Sequence, residues 1–175
     1  MPDGSKDAIM NILVVYKSYH HMNTEKVARV IAQATNAMLS KADEVRPEDI
    51  EGYDLVGFGS GIYGGKHHRT LFTLVDGIRK TGKDVFIFST SGVLKEQFHR
   101  PLRERLAAKG CHIIGEFQCP GEVSPLGFNL NLRGGLGWLA GKNKGHPDAK
   151  DLEDARYFAK GLIYAEHLSP VVVPL

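Results

Sequence analysis

The sequence predicts a doubly wound α/β fold: a three-layer α-β-α sandwich around a five-stranded parallel sheet in the order 2-1-3-4-5. Three observations carry this prediction. Short apolar runs suited to buried strands alternate with amphipathic helical patterns. Most connections between them are short, and that alternation specifies a parallel sheet covered on both faces, with right-handed crossovers. The 175 residues are enough for one full core and too few for two ordinary domains, so a single domain over 1–175 is expected.

The buried-strand runs are Ile12 to Tyr16, Leu55 to Gly59, Val85 to Phe88 and Ile113 to Phe117. Ala42 to Arg46 is a weaker, more polar candidate, which suits an edge strand. Helix spacing appears at Val27, Ile31, Ala34 and Met38, then at Leu71, Leu74, Val75 and Ile78, then at Phe98, Leu102 and Leu106. Pro101 is expected in a first turn or at a kink, where its missing N–H costs least. A last helix carries Leu152, Ala155, Phe158, Ala159, Leu162 and Ile163, with Asp148 as its N-cap. Strand order 2-1-3-4-5 places a cleft beyond the C-terminal ends of strands one and three.

One connection is long. Gly121 to Pro147 holds seven glycines, and within it Leu126, Phe128, Leu130 and Leu132 alternate with Gly127, Asn129, Asn131 and Arg133. That two-residue period predicts a short strand in a lid or interface rather than disorder. Residues 1–9 are expected to be disordered, and the proline-bearing tail 169–175 to be frayed or packed as an extended strap.

The formal charge of +2, without a lysine or arginine block, excludes nucleic acid as an expected partner. No segment approaches a membrane span, and Met1 to Met10 lacks a basic start followed by an apolar run, so a cytoplasmic protein is expected. Cys111 and Cys119 suit neither a redox pair nor a metal set and are read as buried free thiols.

Three small-residue loops converge on the predicted cleft. The first, Ser18-Tyr19-His20-His21-Met22-Asn23-Thr24, joins strand one to the helix that begins near Glu25. Unpaired amides and the helix dipole make such a junction an anion site, to which Ser18, Asn23 and Thr24 can add side-chain donors. A phosphate monoester is one reading, and a helix cap from Asn23 or Thr24 is the other. The glycine fingerprint of dinucleotide sites and the Gly-Lys-Ser/Thr ending of nucleotide triphosphate sites are both missing. The second loop is Ser60-Gly61-Ile62-Tyr63-Gly64-Gly65-Lys66, and the third is Ser89-Thr90-Ser91-Gly92. Together they offer an aromatic face, backbone groups for a polar edge and glycines for close approach, which a planar redox ring needs. His20, His21, His67 and His68 form two adjacent pairs, but neighbours in an extended segment point to opposite sides and chelate one ion poorly. No metal site is expected, and His20 or His21 is read as a phosphate donor.

The chain resembles the flavodoxins over most of its length. Their phosphate loop, Ser/Thr-x-Thr-Gly-Asn-Thr, matches Ser18 and the Asn23-Thr24 stretch, with His20-His21-Met22 in place of Thr-Gly. The resemblance implies FMN as cofactor, Tyr63 against its ring, and Gly64 and Gly65 at the peptide that flips on reduction. It also implies Ser89 to Gly92 along the pyrimidine edge. Cys119-Pro120-Gly121 and Asn143 to Pro147 look like a bacterial and archaeal subset of the family. Two departures stand out: the well-known carriers are strongly acidic, and an acidic residue common after the glycine is replaced here by Gly65-Lys66. A lysine there is expected to favour the anionic reduced cofactor.

The resemblance implies an electron carrier between protein redox partners, needing no catalytic acid or base, as a monomer or weak dimer. An FMN oxidoreductase acting on a quinone or other small acceptor is the alternative, favoured by the basic balance and the apolar, glycine-rich segment. A flavin-free module for some other phosphorylated ligand is the third reading.

Overall fold

The computed structural model describes residues 10–19, 21–123 and 143–166. The element order is β1 (Ile12–Lys17), α1 (Asn23–Thr35), β2 (Met38–Lys41), β3 (Leu55–Tyr63), β4 (Lys66–His67), α2 (Arg69–Gly77), β5 (Asp84–Ser91), α3 (Arg100–Ala108), β6 (His112–Pro120) and α4 (Ala149–Glu166). Five strands form a parallel sheet in the order β2-β1-β3-β5-β6, and β4 folds back antiparallel on the end of β3. With that short hairpin set apart, this is the predicted order 2-1-3-4-5.

Strand alternation divides the core into two layers. Leu13 and Val15 of β1, with Val85 and Ile87 of β5, face a cluster completed by Leu71, Leu74, Leu102 and Leu106 of α2 and α3. Ile12, Val14 and Tyr16, with Phe86 and Phe88, face the other, completed by Val27, Ile31, Ala155, Ala159 and Leu162 of α1 and α4. Large rings fit on this second face because the facing strand gives way. Gly57 and Gly59 stand in register with Phe86 and Phe88, and a Cβ on either glycine would meet the ring at 2.2 or 2.1 Å.

Five local expectations are corrected. The second strand is Met38–Lys41, not Ala42 to Arg46, and Met38 belongs to it rather than to α1. The helix stops earlier because Asn36 turns left-handed, with φ 53°, as its C-cap. β3 continues through Ser60 to Tyr63, so the expected loop is a hairpin turned at Gly64 and Gly65, both at positive φ as a two-residue turn requires. β5 likewise runs on through Ser89, Thr90 and Ser91. Phe98 falls in a 3-10 turn before α3, while Pro101 sits in the first turn as expected.

Asp148 starts α4 as predicted: its Oδ1 accepts from the Asp151 backbone N–H at 3.0 Å, and Asp151 accepts from the Asp148 N–H at 2.8 Å. Among the described residues no helix is long and apolar enough to cross a membrane. Cys111 and Cys119 are buried free thiols. His20, the strand expected over 126–132, residues 1–9 and the tail 169–175 lie outside the described residues.

Candidate functional site

The C-terminal ends of β1, β3 and β5 open onto one pocket of about 270 Å³. Ser18, Tyr19, Asn23 and Thr24 line it from the first loop and α1, Gly61 to Gly64 from the hairpin, and Thr90 to Gly92 from β5. Gly121, Glu122 and Val123, which follow β6, complete it.

α1 begins at Asn23, two residues earlier than the apolar pattern suggests, so neither Asn23 nor Thr24 is its cap. Met22 occupies that position in the left-handed region, φ 53°, and offers no side-chain cap to the first-turn amides. Those amides and the positive end of the helix dipole are therefore left to a ligand. Thr24 is buried, with its hydroxyl 2.8 Å from that of Thr90. Asn23 donates from Nδ2 to the Glu122 carbonyl at 2.9 Å, while its buried Oδ1 has no partner. An acceptor left unpaired at a pocket wall costs about 1 to 3 kcal/mol, so the site suits a ligand that brings hydroxyl or N–H donors.

The opposite wall is aromatic. The His68 ring stands between Tyr19 and Tyr63, with centroids 5.2 and 5.4 Å away. Thr70 holds that imidazole through its backbone N–H, at 3.2 Å from His68 Nδ1. Lys17 lies over the Tyr19 ring at 4.8 Å and pairs with Asp43 at 3.0 Å. Burial raises the Tyr63 pKa above the ordinary tyrosine value, which keeps the phenol neutral.

The third side is tied down by bonds to backbone carbonyls. The Gly121 N–H donates to the Ser91 carbonyl at 3.0 Å, and the Asn143 Nδ2 to the Gly92 carbonyl at 3.0 Å. A Cβ at Gly121 would come within 3.0 Å of Asn23 Nδ2, so close backbone approach is what keeps this corner open.

Several predicted site residues stand elsewhere. Ser60 and Ser89 are wholly buried and point to imidazoles below the pocket rather than into it. His21, Met22 and Gly65 are exposed outside the lining. Lys66 lines a separate depression with Arg69, Phe72, Asp76 and Arg105 beside α2 and α3, so the lysine expected beside the ring is not among the pocket residues. His68, expected near the mouth as one of two histidine pairs, stands between the two tyrosines, while Glu122 and Val123 are pocket residues that no sequence signal marks. Gly121 was visible as the end of a motif, but nothing in sequence puts it against Asn23.

One cluster has metal-ligand chemistry among the described residues: His146, Asp148 and Asp151, with ligand atoms within 4.8 Å of one another. Its bonds are those of a helix start, with His146 Nδ1 at 2.6 Å from Asp151.

A family model described as a flavodoxin domain matches residues 13–122, which span β1 to β6 except for Ile12 and include every pocket residue up to Glu122. The chain belongs to the flavodoxin family. An uncharacterized protein of Methanocaldococcus jannaschii is 47% identical over 156 residues, covering 88% of this chain and 99% of that one. Among solved structures, oxidised flavodoxin 2 from Bacillus cereus shares 21% identity, a TM-score of 0.65, and 89% and 99% coverage of the two chains. A flavodoxin from the domain Archaea gives 16%, 0.62, and 89% and 98%. Rubredoxin:oxygen oxidoreductase from Desulfovibrio gigas gives 16% and 0.62, with 91% of this chain matching 37% of that one. Membership in the flavodoxin family carries a flavin-binding, electron-transfer role.

Proposed function

We propose that the chain binds one FMN and carries electrons between protein redox partners. The observation that carries this reading is the pocket itself. An uncapped helix start, the Thr24–Thr90 pair and the unpartnered Asn23 carbonyl stand across from a tyrosine-lined wall. Ser18, Thr24 and the first amides of α1 would take the monophosphate, and the unpartnered Asn23 carbonyl would accept from a hydroxyl of the ribityl chain. Tyr19 and Tyr63 would flank the ring, and backbone groups of Gly61 to Gly64 and Thr90 to Gly92 would meet its polar edge. Bound FMN supplies reversible one-electron chemistry, while the protein contributes binding, orientation and exclusion of water.

Among the described pocket residues no side chain is poised as an acid or base beside a nucleophile, which favours a carrier over an enzyme with its own substrate. Two buried free thiols fit a reducing cytoplasm. The test is the absorption spectrum of freshly purified protein with the released chromophore identified, followed by electron passage to a one-electron protein acceptor. FMN and transfer to the protein support the reading. Sustained turnover of a small quinone without transfer to a protein would replace the carrier with an oxidoreductase, and a colourless protein that takes up no flavin would sink both.

A further inference from the structure

Below the pocket, on the α2 and α3 side of the sheet, runs a row of polar side chains that flavin binding does not use. Ser60 and Ser89 are register partners on β3 and β5, and each directly precedes a residue of the pocket lining, Gly61 and Thr90. Each hydroxyl meets a buried imidazole: Ser60 Oγ lies 3.0 Å from His67 Nδ1, and Ser89 Oγ 2.8 Å from His99 Nε2. The two imidazoles pack with centroids 4.9 Å apart. His99 Nδ1 lies 2.8 Å from Glu116 Oε2, and Arg103 grips the same carboxylate through two bonds, at 2.6 and 2.9 Å.

Proton accounting separates the two histidines. Glu116 is paired with Arg103 and acts as an acceptor, so His99 Nδ1 carries a proton toward it. At Nε2 the neutral ring accepts from the Ser89 hydroxyl, and the charged ring donates to it after the hydroxyl rotates. His99 thus changes charge without losing a hydrogen bond. His67 does not have that freedom, because its Nε2 is buried without a partner and a second N–H there would stay unpaired.

We propose that His99 is a proton-loading residue for the pocket, taking up one proton at Nε2 when the pocket's occupant gains negative charge and releasing it when that charge leaves. This rests on the reading of the occupant as FMN reduced by a one-electron protein donor. The donor supplies the electron, which resides on the cofactor. Water or buffer supplies the proton. Only an N–H bond forms at His99, and hydroxide or buffer base is left in solution.

The charged and titratable groups around His99 are Arg103 on α3, Glu116 on β6 and His67 on β4. With Glu116 and Arg103 cancelling, loading leaves one net positive charge. Burial holds His99 below the ordinary histidine value, offset in part by Glu116 and reinforced by Arg103, so a negative charge nearby favours loading. Ser89 and Thr90 are successive residues, about 3.8 Å apart at Cα, which brings the pocket within range.

Histidine side-chain NMR on nitrogen-15-labelled wild type tests this, with pH titrations of flavin-free, oxidised FMN-loaded and reduced FMN-loaded protein. Reduction should raise the charged-to-neutral ratio of His99 at fixed pH on the order of tenfold, with His67 neutral throughout. In weakly buffered solution, reduction should also draw more protons into wild type than into His99→Gln. Bound FMN with an unmoved His99 titration, or equal proton uptake by the two proteins, overturns the inference alone. Failure of FMN to bind overturns the flavin reading and this inference with it.

Discussion

The hydroxyls of Thr24 and Thr90 lie 2.8 Å apart, tying the first turn of α1 to the end of β5 where both enter the pocket. One hydroxyl proton in this pair joins the two threonines, and the proposed phosphate would take the other. Thr24→Val should therefore weaken FMN far more than riboflavin, because only FMN presents an anion there. A charge-assisted bond of about 1.5 to 3 kcal/mol corresponds to roughly tenfold or more in affinity. Fluorescence titration with both flavins checks this, and equal losses would make the pair structural rather than phosphate-binding.

Gly59→Ala tests the packing beneath the site. The new methyl would stand 2.1 Å from the Phe88 ring, on a face where Gly59 and Phe88 are register partners. Overpacking of this kind costs about 1 to 3 kcal/mol. The urea midpoint should fall accordingly, and Gly59→Ala combined with Phe88→Leu should recover part of the loss. An unchanged midpoint for the single variant would mean the sheet yields there.

Stability should decline as the solution turns acid. Burial, and then the neighbouring His99, hold the His67 pKa well below the ordinary histidine value, and burial also lowers that of His99. Between the folded value and the unfolded one near 6.5, the unfolded chain binds more protons. Stability is thus complete above about pH 6.5 and is lost below it, by up to about 1.4 kcal/mol per pH unit for each histidine. Chemical denaturation across pH 4 to 8, about the useful range for an imidazole, should show a shallower slope for His67→Asn. Equal slopes would assign the acid sensitivity to other groups.

Both thiols should be inert in the folded state. Burial pushes the Cys119 thiol far up, helped by Asp151, Asp148 and Asp154, and burial raises Cys111 against the pull of Lys83 and Lys109. The thiolate is the reactive form, so a disulfide reagent at neutral pH should label neither cysteine until denaturant is added. Fast labelling of Cys119 in folded protein would show that the β6 end opens readily.

The sheet was legible because its central strands are buried on both faces and read as continuous apolar runs. The edge strand was not. Met38 follows Ile31 at helical spacing and is 58% exposed, so neither periodicity nor hydrophobicity marks the left-handed stop at Asn36. The hairpin carried its signal openly, as Gly64-Gly65 between Tyr63 and Lys66, yet the same residues also read as a ligand loop. Lys66 shows the cost of that ambiguity: it is the register partner of Tyr63, yet it lines the depression beside α2 and α3 rather than the pocket. His67 and His99 were illegible for another reason: sequence does not distinguish a buried, hydrogen-bonded imidazole from a solvated one. Their partners Ser60, Ser89 and Glu116 are distant in sequence from at least one end of the row.

The most direct test of the account is a titration of flavin-free protein with FMN, riboflavin and FAD under one set of conditions. The account predicts one FMN per chain, bound more tightly than riboflavin through the phosphate and more tightly than FAD, whose pyrophosphate finds no glycine fingerprint at the α1 start. Tight FAD with negligible FMN, or riboflavin bound as well as FMN, would contradict it.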